Sequence, residues 1–484
     1  MRVWRFMAAL GPALGLGACD FAPAYTPPTV ALPVKYQNAD AAMWHEAHPS
    51  DDQPRGDWWR GFNDPTLDAL EPQVELANQN LAAALASYEQ ARAYVAEAES
   101  RFYPSVASNG QLSDNRQSDD RPLRGAGEPN YYGNNLIDGE AGYEVDLWGR
   151  IRDAVAVRRA QAQASGAIFE SVRVSLQAEL ARDYINLRGV DQQEKLLRDT
   201  VAAYKAALDL TQERYQGKIA APIDVDRARV QLESAKSQLT DLAATRALLQ
   251  DAIATLVGRP ASNFSVPPST RVLRVPVFPP GVPSTLLERR PDVAAAERET
   301  AAANEKIGIA KAAFFPRFTI NLLAGTQDTG LNLLNLANSF WSVGPTVYLP
   351  LFDGGALLAR LTAAEAAYRE EVARYRGTVL KAIQDVEDSL ALIRTLDKEL
   401  QSARSAATAA DKAQALALEL YREGATNYLE VVVAQTAALS AELSLLNVET
   451  RRQQAVVALI LALGGGFSVD VAAQADLPQH PRPQ

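Results

Sequence analysis

Ile137-Asp138-Gly139-Glu140-Ala141-Gly142-Tyr143-Glu144-Val145-Asp146-Leu147-Trp148-Gly149 decides how this chain folds. Ile137, Ala141, Tyr143, Val145 and Leu147 alternate with Asp138, Glu140, Glu144 and Asp146. A period of two predicts a strand with one apolar face and one acidic face. At Gly149 the period turns helical and runs unbroken to about Tyr215. Such a helix has around 60 residues and spans roughly 90–100 Å. That length without internal breakers signals a coiled coil or a helical tube rather than a globule.

The same strand-to-helix passage occurs twice, because the second half of the chain repeats the first. Tyr215, Asp224, Val225, Ala228 and Gly258 match Tyr421, Glu430, Val431, Ala434 and Gly464, each pair 206 positions apart. Phe102-Tyr103-Pro104 matches Phe314-Phe315-Pro316 at 212, and Leu147-Trp148-Gly149 loosely matches Leu351-Phe352-Asp353 at 204. Insertions and deletions therefore cluster between the strands. A long repeat is one unit used twice, each copy unable to bury its faces alone.

Outward from these anchors the chain divides as follows. Residues 1–18 read as a signal peptide and 19–65 as an extended strap rich in Pro, Asp and Trp. The first repeat, 66–258, opens with a helix from Thr66 to about Arg101, started by Asp64-Pro65-Thr66 and stopped by Pro104. Strands at about 104–113 and 136–147 flank a polar loop, and a long helical hairpin follows, with its break at 216–222. A Pro-rich connector covers 259–283. The second repeat, 284–466, has a helix to Phe314, strands at about 317–326 and 340–351, and a hairpin breaking at 422–427. Trp341, Val343, Val347, Leu349 and Leu351 share one face of its last strand. A tail occupies 467–484.

Composition narrows the function. The chain of 484 residues carries a formal charge of −10, which argues against a nucleic-acid surface. Its three histidines lie in the terminal regions, and no HExxH, CxxC or Gly-rich phosphate loop occurs. We therefore expect no enzyme, no metal site and no cofactor beyond a covalent lipid. Arg2 and Arg5 precede an apolar stretch from Phe6 to Leu16, as in an export signal and too short to span a bilayer. Leu16-Gly17-Ala18-Cys19 resembles a bacterial lipobox, which implies cleavage before Cys19 and its lipidation. Cys19 is the sole cysteine, so no disulfide framework exists. Asp20 follows it, a residue that in some bacteria favours inner-membrane retention.

Four strands of about ten residues cannot close a membrane barrel, since the smallest have about eight. An open edge in hydrocarbon leaves backbone groups unpaired at several kcal/mol each. Either the strands form a small soluble sheet or several chains contribute to one barrel. Periodicity alone leaves both open. The helical stripes are dominated by small residues, such as Ala82 to Ala84, Ala154, Ala156, Ala160 and Ala406 to Ala407, which permit close helix approach.

At this point five motifs in order resemble the TolC-like outer membrane factors, and within them the lipidated NodT-type efflux channels. They are 58–67, opening on Trp58-Trp59-Arg60-Gly61-Phe62; Tyr143 to Arg150; Leu286-Leu287-Glu288-Arg289-Arg290-Pro291-Asp292-Val293 with Glu297; Ala312 to Pro316; and Pro350-Leu351-Phe352-Asp353-Gly354-Gly355. The resemblance covers nearly all of the mature chain. It implies a mainly α fold with a transmembrane β-barrel portion. Three chains would give a 12-stranded barrel continuous with a 12-stave α-helical periplasmic tunnel. The implied partners are two further copies, a periplasmic adaptor, an inner-membrane pump and outer-membrane lipid. The implied function is a passive efflux duct for small molecules such as drugs. A duct for metal ions or secreted protein, and a periplasmic coiled-coil scaffold without a barrel, are the alternatives.

The hairpin ends then become the periplasmic tips. Arg214 lies near a helix C-terminus and Asp224 and Glu430 near N-termini, each favourable with the dipole by roughly 0.3–1 kcal/mol. By resemblance Glu430 matches an acidic gate position, a second falls on Val433, and a clasp maps onto Asp224 and Tyr421. The clasp's basic partner falls on Thr426, so a hydrogen bond between Asp224 and Tyr421 is what remains expected. Adaptor docking maps onto Arg214, Gly217, Lys218 and Ile219 in the first tip and Gly424 and Ala425 in the second, with Lys218-Ile219 replacing the usual Gly-Leu. Asp138, Glu140, Glu144 and Asp146 would face a wet lumen.

Overall fold

The structure is a computed structural model describing residues 21–31, 36–37, 56–120, 127, 129–276 and 290–465. Cys19, the three histidines, the motif residues 286–289 and the tail 467–484 lie outside the described residues. The described chain forms two compact units, and neither follows the boundary between the sequence repeats.

One unit comprises Met1–Thr29, Ser87–Ser165 and Ala295–Arg376. It holds strands β1 (Ser105–Gln111), β2 (Asp114–Arg116), β3 (Tyr131–Gly133), β4 (Asn135–Val145), β5 (Arg317–Asp328) and β6 (Ser339–Tyr348). Four of them form an antiparallel sheet in the order β1-β4-β5-β6. The short pair β2-β3 sits in the loop expected to be irregular. The strand expected at 340–351 ends at Tyr348, and Leu349 and Leu351 lie beyond it, exposed.

Register decides the two faces of this sheet. Val106 pairs with Ala141, Ala141 with Leu322, and Leu322 with Val343. Tyr143 pairs with Ile320, and Ala324 with Trp341. Directly opposed residues share a face, so these apolar side chains form one continuous surface. Val106, Ile137, Ile320, Leu322, Val343 and Val347 are exposed on it, and Trp341 is 75% exposed. The opposite face carries Asn109, Asp138, Glu140, Glu144, Asn321, Ser342 and Thr346.

Beneath the strand ends an aromatic stack forms. Phe315 lies 4.4 Å from Phe21 and 5.0 Å from Trp148, ring centre to ring centre. Trp148 Nε1 donates to the Pro316 carbonyl at 2.7 Å. The N-terminal strap runs along helix α5, defined below, where Asn304 Nδ2 donates to Pro23 O and the Tyr25 hydroxyl to Glu297 O.

The second unit comprises Val30–Ala86, Gly166–Ala294 and Gly377–Gln484. Across the described chain the helices are α1 (Pro65–Ala77), α2 (Gln79–Glu99), α3 (Arg150–Gln216), α4 (Pro222–Leu256), α5 (Pro291–Ala312), α6 (Ala356–Glu423) and α7 (Tyr428–Ala462). The long helices have 67 and 68 residues and their return helices 35 each, so both copies build the same hairpin. The helix expected to run from Thr66 to Arg101 is broken at Asn78, whose backbone is extended. Its side chain accepts from Asn80 N and Leu81 N, starting α2, and donates to Leu256 O. Gly258 and Gly464, paired by the repeat, both have positive φ (68° and 88°) just past a helix end. Glycine takes that conformation without a Cβ penalty, and at Gly258 a Cβ would fall 2.3 Å from Ala77 O.

The core of this unit gathers Trp58, Trp59, Phe62, Leu67, Leu70 and Val74 against Leu180, Tyr184, Ile185, Val457 and Ile460. A polar chain ties it to the connector. The Tyr184 hydroxyl donates to Asp64 Oδ1 at 2.7 Å and accepts from Arg188 Nε at 2.8 Å. Arg188 and Arg246 both pair with the buried Asp191, at 2.7 and 2.8 Å. Asp191 also accepts from Ser269 N, while the two arginines donate to Pro267 O and Val266 O. Arg290 joins Asp292, Asp385 and the Ala462 carbonyl.

Candidate functional site: the hairpin tips and the polar sheet face

The tip where α3 turns into α4 closes on one carbonyl. Ile219 N and Ala220 N both donate to Arg214 O, at 2.8 and 3.2 Å. Lys218 holds φ 60°, the left-handed region that a side chain disfavours, and Gly424 holds φ 78° at the matching place in the second tip. That second tip closes through Gly424 N to Tyr421 O and Ala425 N to Leu420 O, at 3.0 and 2.9 Å. Asn427 then caps α7 by accepting from Glu430 N.

The Arg214 side chain joins the two tips. Its Nη1 donates to Tyr421 O at 2.8 Å and Arg422 O at 3.0 Å, two carbonyls of the last turn of α6. Its guanidinium carbon lies 4.7 Å from the centre of the Tyr421 ring. A cation there satisfies orphan carbonyls and the negative helix end together. The sequence placed Arg214 at its own helix terminus. No pattern marks a bond to a carbonyl some 207 residues away.

The expected hydrogen bond between Asp224 and Tyr421 is not formed. The Tyr421 hydroxyl is buried without a partner, and Asp224 pairs with Arg227 at 3.4 Å. The ring is held instead by Arg214 and by Tyr428, whose ring centre lies 5.1 Å away. Tyr204, Leu208, Ala228, Leu232 and Val431 complete this cluster. Burial pushes the Tyr428 and Tyr204 hydroxyls up to about 12, so both stay neutral at any physiological pH. Glu430 and Val433 are exposed, one helical turn apart on α7. Lys218, Ile219 and Ala425 are exposed at the two turns, and Gly217 with Gly424 supplies the bends.

On the polar face of the sheet the four expected carboxylates have different settings. Asp138 is buried and accepts from Asn109 Nδ2 at 3.1 Å. Glu140 is exposed. Glu144 accepts from Arg150 Nε at 2.8 Å. Asp146 lies past the end of β4 and caps α3 by accepting from Ile151 N and Arg152 N. Local pairing thus engages three of the four and leaves Glu140 open.

This geometry is shared with known proteins. The profile of the outer membrane efflux protein family matches residues 71–259 and 282–465, the two copies of the repeat. Outer membrane protein OprJ of Pseudomonas aeruginosa is 32% identical over 466 residues, covering 95% of this chain and 96% of the relative. The pyoverdine export outer membrane protein OpmQ of the same organism is 30% identical, covering 96% and 97%. The solved structure of the outer-membrane channel OprN superposes with a TM-score of 0.82 at 30% identity, over 93% of this chain and 99% of that one. Paired strand and hairpin units, a sheet with an exposed apolar face and a match over both repeats converge: the chain belongs to the outer membrane efflux protein family and resides in the outer membrane.

Proposed function

We propose that this chain is one protomer of a homotrimeric duct through which small molecules, drugs among them, leave the periplasm. The sheet carries the proposal. It has an apolar face exposed in the single chain, a polar face opposite, and unpaired edges at β1 and β6. Four strands cannot close, and an open edge is untenable in hydrocarbon. Three copies joined β6 to β1 give twelve strands with lipid outside and water within. α7 adds support. It is apolar enough to cross a bilayer, yet only 22% of its most apolar window is buried in one chain. Neighbouring staves of a helical tunnel would cover the remainder.

In this reading Cys19 bears the lipid anchor, and Asp138, Glu140, Glu144 and Asp146 belong to the lumen side. Glu430 and Val433 form the narrowest ring, beside Asp224 and Tyr421. Arg214, Gly217, Lys218, Ile219, Gly424 and Ala425 meet a periplasmic adaptor that links the duct to an inner-membrane pump. Conduction needs no chemistry: rings of carboxylate and apolar constrictions select by charge and size. The purified lipoprotein is expected to run as a heat-modifiable trimer and to form cation-selective channels in planar bilayers. Glu430→Ala is expected to lower that selectivity. A monomer without conductance would refute the reading.

A further inference from the structure

We infer that the cavity between α2, α3 and α5 is a binding site for small organic anions on the lumen side of the duct, so that anionic cargo passes as well as cationic. The inference rests on the trimeric duct proposed above and names a class of molecule that it carries.

The cavity has a volume of about 430 Å³, within the range of small-molecule sites. Its floor is apolar, built from Ala98, Ala154, Val157 and Ile309, of which Ala98 and Val157 are buried. Its rim is basic, with Arg101, Arg158 and Lys306 against the single carboxylate of Glu97. Tyr94, Ala98 and Arg101 fall at i, i+4 and i+7 along α2 and the turn after it, and so share one face. Arg158 reaches over from α3. Its guanidinium carbon lies 5.5 Å from the centre of the Tyr94 ring, and its Nη1 donates to Gln161 Oε1 at 3.0 Å. Neither contact neutralises its charge. Arg101 and Lys306 are exposed. Glu299 acts on Lys306 from two turns down α5 but lines no part of the cavity. An apolar floor, an aromatic wall and rim cations fit a ring system bearing a carboxylate or sulfonate, its oxyanion held by the arginine fork.

Helical geometry sets the side on which the cavity opens. The strap follows Cys19 and, in a lipid-anchored duct, runs outside the wall. It lies on Asn304, which donates to Pro23 O, and on Gly308, where a Cβ would meet Ala22 N at 2.8 Å and the Asp153 carboxylate. Lys306 stands two residues from each, about 200° round α5. Arg158 stands five residues from Asp153, about 140° round α3. Both cations therefore lie away from the strap, toward the lumen.

The repeat does not copy the cluster. At the 212 and 204 offsets of the flanking motifs, Arg101 corresponds to Ala313, Lys306 to Tyr94 and Arg158 to Thr362. Each chain thus has one such site, and a trimer three at one level. In a lumen assigned the carboxylates of Glu140 and Glu430, three basic clusters lower the barrier that acidic rings set against anions.

Fluorescein, an aromatic dianion, serves as the probe, and rhodamine 6G as its cationic counterpart. Fluorescence anisotropy of the full-length lipoprotein in neutral detergent is expected to show saturable binding of fluorescein. Arg158→Gln is expected to weaken it about tenfold, the loss of one hydrogen bond to a charged group. Adding Arg101→Gln and Lys306→Gln is expected to weaken it further. Glu97→Gln is expected to tighten it, a gain that a merely damaged fold would not give. Rhodamine 6G is expected to show no such loss. Equal fluorescein binding in the parent and the triple glutamine variant would overturn the inference.

Planar-bilayer recording separates this site from the duct that it serves. Fluorescein is expected to add brief blockades to parent channels, and the triple variant to lose them. Open channels without blockades, despite binding through the three cations, would place the cavity outside the lumen and overturn the cargo assignment. Blockades suppressed by phosphatidylglycerol in the bilayer would assign the cavity to a lipid headgroup and overturn it likewise. A protein that binds fluorescein through these cations yet forms no channel would refute the duct and leave the anion site standing.

Discussion

Replacing Glu71 with leucine is expected to stabilise the helical unit, and by an amount that grows with pH. Glu71 lies on the inner side of α1 between Leu70 and Val74, 0% exposed. Neither carboxylate oxygen has a hydrogen-bond partner. Burial, reinforced by the nearby charges of Glu75 and Asp68, pushes its carboxyl well above the usual range. Among the described residues no cation offsets this, and Arg173 beside Glu75 is committed to Glu75 and Glu170. In the unfolded chain a glutamate ionises near ~4.3. Above that pH the unfolded state has released a proton that the folded state keeps. Folding stability therefore falls as pH rises, by about 1.4 kcal/mol per pH unit, until the folded group itself ionises. Below about pH 4 both states are protonated, and only the desolvation of an unpaired carboxyl separates the proteins, roughly 1–3 kcal/mol. Urea unfolding of the helices in detergent at about pH 5, 6 and 7, followed by circular dichroism, measures the difference. The gap between Glu71→Leu and the parent is expected to widen as pH rises, by at most the linkage slope given above. Parallel pH curves would refute the reasoning, because they would mean that Glu71 is ionised and solvated in the folded protein.

Three further outcomes follow from particular contacts. Asp191→Ala leaves the buried Arg188 and the half-buried Arg246 without their shared carboxylate, a loss of about 3–5 kcal/mol. Faster protease cleavage near residues 266–269 is expected to report it, with Asp191→Asn milder. Lys218→Gly removes a side chain from a left-handed backbone position and is expected to add about 1 kcal/mol of stability in the same urea assay. Phe352, 93% exposed, occupies the place in the second copy that Trp148 fills in the first. Since Trp148 packs on Phe315, Phe352 is expected to pack on Tyr103 of a second copy. Phe352→Asp is then expected to lower trimer yield, and the pair Phe352→Cys with Tyr103→Cys to form an intermolecular disulfide.

Most of the fold was legible because long elements repeat their periodicity many times. The period-two stretch from Ile137 gave β4, and the long helical runs, read from about Gly149 to Tyr215 and from about Ala356 to Tyr421, gave α3 and α6 to within two residues. Short or polar elements escaped for physical reasons. The β2-β3 pair contains Asp114, Asn115, Arg116 and Tyr131, with no apolar face to betray it. Side-chain bonds such as Gln117 Nε2 to the Tyr132 hydroxyl at 2.8 Å support it instead. The break at Asn78 was masked because Val74 and Leu81 keep the helical spacing across it. Asn78 itself was the available signal, a capping residue set within an apolar series. The long-range contacts of Arg214 and Asp191 were not legible. Apart from the i, i+3 pair of Arg188 with Asp191, both reach backbone groups or side chains far along the chain, and such partners leave no local spacing to read.

Where the two copies agree and where they differ separates folding from function. They agree where backbone geometry leaves no choice: Gly258 and Gly464 past the return helices, and a left-handed residue at 218 and 424. They also differ at the tips. Arg214 against Leu420, Lys218 against Gly424 and Asp224 against Glu430 all fall within about a turn or two of the tips. A difference that also changes a contact is stronger ground. Arg214 bonds across the pair, its counterpart cannot, and the paired tyrosines are buried and exposed accordingly. The asymmetry at this pair is therefore one of contact as well as of residue type: Arg214 ties the end of α3 to the end of α6, and Leu420 has no side-chain donor to do the same.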